Sequence, residues 1–255
     1  MQILLLRIKI LKITTLGGIK MNKHPKQNRS ILSLFEKGSR GKFFYLLISL
    51  VLLLLVYPFL EYGSIREAFL SILSAVVPIT AIYAVSYNKR NLIIAILLGV
   101  PTITGELLYL LGIEFFPHAV IVAFALLFYL FTLITIISYV FRDEEVTGDT
   151  IYGAICVYLL IGITWTTIFV LINILQPGSF YINPPNNIDN VQDWSDFIYY
   201  SYATLTTLGY GDITPVTSQA RSVGVLETIV GQLYLTILLA RLIGLHLTRS
   251  IKRES

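Results

Sequence analysis

From Ala119 to Phe141 the chain carries no charged side chain. A run of that length and apolarity constrains the fold more than any other feature, because it suffices to cross a hydrocarbon core as a helix. In lipid, every backbone N–H and C=O must find its partner within the protein, so such runs form helices or closed barrels. Five more apolar runs accompany it: Phe43–Leu60, and, approximately, Ala68–Ser86, Leu92–Leu111, Ile151–Leu175 and Val223–Leu247. The chain of 255 residues is 55% hydrophobic and 13% charged, with a mean hydropathy of +0.75. A soluble domain of this size cannot bury that much apolar surface. The expected fold class is all-α integral membrane with six transmembrane helices.

The polar segments organise these runs. Residues 1–42 form a basic arm whose only acid is Glu36. It lacks the uninterrupted apolar core and small-residue cleavage site of a signal peptide, and Met21 is an alternative start. The arm reads as partly disordered, cytoplasmic and in contact with anionic lipid rather than nucleic acid. Residues 43–141 hold the first four runs, with Pro78 as an expected kink in the second and with Pro101 and the acid Glu106 inside the third. A linker over 142–150 leads to 151–247, and 248–255 is a short tail. Six crossings place both termini on one side. The arm, Lys89-Arg90 and the tail cations Arg249, Lys252 and Arg253 then all face the cytoplasm, as the positive-inside bias requires of a multi-pass plasma-membrane protein. Lone Cys156 lies in an apolar run and reads as a small packing residue.

Between the last two runs the pattern changes. Gln176–Asp193 is rich in Pro and Asn and reads as an exposed loop. Trp194–Thr206 is too short and too polar to cross a membrane but suits a half-membrane helix, with Asp193 and Ser195 both fit to cap it. Then comes Thr206-Thr207-Leu208-Gly209-Tyr210-Gly211-Asp212, followed by a turn through Thr214-Pro215. Glycine at alternate positions lets successive carbonyls turn to the same side. Four such segments around an axis would stack rings of oxygens, with the Thr207 hydroxyl at the inner end. Rings of this kind replace the hydration shell of a potassium ion.

Thr207-Leu208-Gly209-Tyr210-Gly211, with Asp212 after it, closely resembles the selectivity filter of tetrameric potassium channels, with leucine where valine is commoner. The span, half-helix, filter and span of 151–247 resemble the pore module of that family. The resemblance implies a re-entrant pore helix between the fifth and sixth spans, and a homotetramer. It implies K+ bound at Thr207, Leu208, Gly209 and Tyr210, with Gly211 allowing the outer turn. It also implies that Tyr210 turns its ring from the ion onto half-helix aromatics, for which Tyr199 and Tyr200 are the candidates. Thr206 and Asp212 would support the filter. Ala203 stands where some relatives carry a glutamate that engages the acid, so the partner of Asp212 is open.

Two residues of the last run need a reason. Gly231 falls where the family places a bending glycine, and close helix packing explains it nearly as well. Glu227, one turn earlier, is an acid inside a span. The first reading is a buried, hydrogen-bonded support for the filter, and direct ion contact is the alternative.

Voltage sensing needs charge that moves through the field, and the fourth run contains no Lys or Arg. Its likeness to a voltage sensor is one of topology. Phosphate-binding glycine loops, zinc-ligand spacings and nucleophile constellations are all missing from the sequence, so an enzyme is not expected, nor a cofactor beyond the permeant K+. The expected partners are further copies of the chain and the bilayer. The competing functions are a weakly selective cation channel and a sensor whose first four spans bind a lipid or hydrophobic ligand. Pro78, Pro101, Glu106, Phe115 and Phe116 are the candidate lining for such a site.

Overall fold

The computed structural model describes residues 41–56, 64–113, 116–142, 147–183 and 192–254, with side chains left aside at 64–74, 110 and 246–254. The basic arm up to Arg40, Phe115, the acids Asp143-Glu144-Glu145 and the tail cations' side chains lie outside the described residues. So do the side chains of Arg66 and Glu67.

Seven helices are described: α1 Lys42–Val56, α2 Ser64–Val85, α3 Lys89–Leu110, α4 His118–Arg142, α5 Gly148–Leu175, α6 Trp194–Leu205 and α7 Ser218–Glu254. Four of them have windows long and apolar enough to cross a membrane: Lys89–Tyr109, His118–Arg142, Gly148–Leu175 and Ser218–Leu245. Lys42–Val56 and Ala75–Val85 are apolar but shorter within the described residues. The helices run through Pro78 and Pro101 without a break. Beside Pro78, Thr80 donates to the carbonyls of Val76 and Val77, and its hydroxyl meets Ser49 Oγ of α1 at 2.7 Å.

Successive helices α1 to α4 pack on one another, and both α1 and α4 pack on α5. The buried positions of α1 are Phe43, Leu46, Ser49, Leu50 and Leu53, and the apolar four form a helical stripe that meets Val157, Leu160 and Ile161 of α5 in one core. Cys156 belongs to that core, its thiol reaching Phe43 O at 3.4 Å. One end of this contact is polar. Lys42 Nζ donates to Ser86 Oγ at 2.7 Å and sits 4.3 Å from the centre of the Tyr87 ring, while Tyr87 Oη donates to Asp149 Oδ2 at 3.0 Å. Burial and the Asp149 carboxylate both push the Tyr87 phenol up, so it stays a donor across the physiological range. Glu106 is half-buried and faces Tyr129.

The segment after α5 differs from the expected exposed loop. Phe180–Ile182 forms strand β1, antiparallel to β2 over Ile213–Pro215, with Phe180 opposite Pro215 and Ile182 opposite Ile213. Phe180, Ile182 and Ser179 are buried. Thr214-Pro215 is therefore strand, not turn. Alternating burial along Phe180-Tyr181-Ile182 is the period-two signal, but the Pro and Asn around it dominate the composition. The last helix begins at Ser218, before the expected Val223, because Thr217 Oγ1 accepts from the Ala220 N–H and closes the first turn.

Candidate functional site

The site is built on α6. Asp193 caps this helix, its Oδ1 accepting from the N–H of Ser195 at 2.9 Å and of Asp196 at 3.2 Å. Asp196 Oδ2 accepts in return from the Asp193 N–H at 3.0 Å, which completes a capping box. Ser195 lies in the first turn, and its hydroxyl also donates to Asp193. With 12 residues, α6 is about 18 Å long, little more than half the thickness of a hydrocarbon core.

Its far end runs into the 206–212 stretch. The Ala203 carbonyl accepts from the N–H of Leu208 at 2.8 Å and of Gly209 at 3.1 Å, and Thr204 O accepts from the Thr207 N–H at 3.0 Å. Thr206 Oγ1 donates to Tyr202 O at 2.7 Å. Beyond the cap φ becomes positive at every second residue: Thr207 (61°), Gly209 (54°) and Gly211 (79°). For a β-branched threonine that conformation is a rare outlier, of the strained kind that persists only where its surroundings impose it. The negative pole of the α6 dipole lies at this end.

The outer end of the stretch is tied down by side chains and strands. Asp212 Oδ2 accepts from Tyr199 Oη at 2.7 Å and its Oδ1 from the Ile213 N–H at 3.0 Å, while its carbonyl accepts from the Asn183 N–H at 2.9 Å. Tyr199 is thus a side-chain partner of Asp212. Tyr200 is committed elsewhere. Its ring meets Phe169 at 4.9 Å and Phe180 at 5.3 Å edge-on, and Phe197 joins them 5.1 Å from Phe180. This aromatic cluster from α5, β1 and α6 packs behind α6. Phe169, Phe180 and Phe197 were not singled out in the sequence, where they look like ordinary apolar residues. Within one chain Tyr210 is 69% exposed and Leu208 54% exposed.

Helix α7 closes the site from the other side. A Cβ on Gly231 would come within 2.9 Å of the Leu205 carbonyl oxygen and 2.6 Å of its Cδ1, and α7 runs unbroken through the position. Close approach to α6 therefore accounts for a glycine there. Glu227 is fully buried, with Oε1 2.5 Å from Ser201 Oγ of α6, and Ser201 Oγ lies 2.8 Å from Gly162 O of α5. Tyr202 Oη donates to Leu159 O at 2.6 Å, and a Cβ on Gly162 would meet the Tyr202 ring at 2.6 Å. Ser201 and Gly162 were also missed. Small residues in apolar runs carry no signal until a neighbour is seen. Among the described residues no group of three His, Cys, Asp or Glu is placed to hold a metal ion. The oxygens along 206–212 are backbone carbonyls, the Thr206 and Thr207 hydroxyls, the Tyr210 phenol and the Asp212 carboxylate.

Residues 168–245 match a family model described as "Ion channel". The matched segment takes in the end of α5, both strands, α6, the 206–212 stretch and α7 as far as Leu245. These are the features of a helical membrane protein with a segment similar to ion channels. No curated protein and no solved structure gives a significant match.

Proposed function

We propose that this protein is a subunit of a potassium-selective channel that conducts K+ passively through a homotetrameric pore. In this reading all six apolar runs cross the plasma membrane, with both termini cytoplasmic. Trp194–Leu205 is a re-entrant pore helix, and Thr207–Gly211 is the selectivity filter. Alternation of positive φ at Thr207, Gly209 and Gly211 is the observation that carries the proposal. An alternation of this kind lets the carbonyls of Thr207, Leu208, Gly209 and Tyr210 turn to one side, where oxygens would replace the water around a dehydrated K+.

One strand supplies one oxygen per ring, so four copies are required. The uncovered side chains of Leu208, Tyr210, Val225, Leu226, Ile229 and Leu233 are suited to meeting the other copies. Tyr200 is occupied by Phe169 and Phe180, which leaves Tyr199 or a neighbouring subunit to support the Tyr210 ring. The test is cation flux from liposomes holding the purified full-length protein. Potassium flux well above sodium flux is expected. Equal fluxes would replace this reading with a weakly selective cation channel.

A further inference from the structure

One hydroxyl between two acceptors draws attention to the interior of the site. Ser201 Oγ lies 2.8 Å from the Gly162 carbonyl oxygen on α5 and 2.5 Å from Glu227 Oε1 on α7. A serine hydroxyl has one proton to donate and two lone pairs to offer. The carbonyl can only accept, so the Ser201 proton serves Gly162. The second contact then needs a proton from Glu227, which has one only as a carboxylic acid.

The surroundings agree. Both side chains are fully buried, and Glu227 Oε2 has no hydrogen-bond partner among the described residues. The titratable groups facing Glu227 are the phenols of Tyr158 on α5 and of Tyr200 and Tyr202 on α6. A carboxylate here would be a buried anion sharing half of one hydroxyl proton, an expensive arrangement. A neutral acid donates one full bond and leaves a single carbonyl-type oxygen unmet, which costs far less.

We propose that Glu227 is a neutral carboxylic acid that donates to Ser201, completing a Glu227–Ser201–Gly162 relay that joins α7, α6 and α5 and positions the filter. The positioning role rests on the channel reading above. Ser201 stands two residues before Ala203, whose carbonyl holds the N–H groups of Leu208 and Gly209. A shift of Ser201 therefore carries the inner end of the filter with it. Glu227 is a positioning residue in this scheme and touches no ion.

Two measurements on the full-length protein in liposomes test the proposal. Infrared difference spectra of wild type against Glu227→Gln read the protonation state. A protonated carboxyl C=O band that the variant lacks is expected, and carboxylate bands in its place overturn the proposal. Potassium-over-sodium flux reads the positioning. Glu227→Ala and Ser201→Ala are expected to lower that preference about tenfold while tetramers persist. Glu227→Gln, whose amide can donate to Ser201 as the acid does, is expected to rescue it. A glutamine variant as unselective as the alanine one would sink the relay. A wild type with no potassium preference would instead defeat the channel reading, and the infrared bands would still decide the state of Glu227.

Discussion

An extra methyl group at Gly209 or Gly211 would meet nothing within 4 Å in the single chain, so space is not what demands glycine there. The backbone is. An L-residue pays about 1–2 kcal/mol to hold the left-handed conformation, and the proposed tetramer would pay it in every copy. Gly209→Ala is expected to abolish potassium-selective flux while leaving the helical content seen by circular dichroism unchanged. Tyr199→Phe removes one donor from Asp212. Because Tyr199 is partly exposed, the expected loss is about 1 kcal/mol. It should appear as a lower tetramer melting temperature and a faster loss of flux when external K+ is withdrawn. The Gly-Tyr-Gly run was legible in the sequence because glycine advertises its conformation. The partner of Asp212 was not, since nothing in a one-dimensional reading tells Tyr199 from Tyr200. A rotation of one residue around α6 sends the first toward Asp212 and the second into the phenylalanine cluster.

Helix α7 meets α6 through Gly231, and this contact separates two uses of a glycine. Gly231→Ala would press a methyl group against the Leu205 carbonyl, a backbone atom that cannot move without shifting the end of α6. The expected cost is about 1–3 kcal/mol per subunit, read by thermal denaturation of the tetramer. A variant of unchanged stability with altered opening would favour a bending role instead. Phe180 offers the matching test on β1. It is 2% exposed between Phe169, Phe197 and Tyr200, so Phe180→Ala should cost about 3–5 kcal/mol and lower the melting temperature well beyond any surface change. The helices were readable from the length of their apolar runs. The strands were not, because three residues paired with a segment more than thirty positions away leave only a faint alternation in the sequence.

Across the whole molecule, α1 to α4 lie against the channel-like segment through α5, yet α4 holds no Lys or Arg before Arg142. Each charge moved through 100 mV is worth about 2.3 kcal/mol, so a helix without such charges cannot make opening steeply voltage-dependent. Currents recorded in planar bilayers are expected to show open probability nearly flat with voltage. Steep gating-charge movement would overturn this. The first four helices join α5 through α4, through the buried stripe of α1 and, at the polar end of that stripe, through Lys42, Tyr87 and Asp149.

The lipid solvent, the helical class and the glycine-rich stretch could all be read from the residues alone. These follow from local quantities: the length of uncharged runs, the need to satisfy the backbone in lipid, and the conformations open to residues without a Cβ. How the stretch is held came from the packing of the folded chain. It gave Tyr199 to Asp212 and Tyr200 to Phe169 and Phe180, and it set Leu205 against Gly231. It also brought Ser201 between Gly162 and Glu227. Each of these depends on the rotation of one helix about its axis relative to another, and that rotation is set by the packing of whole faces at once.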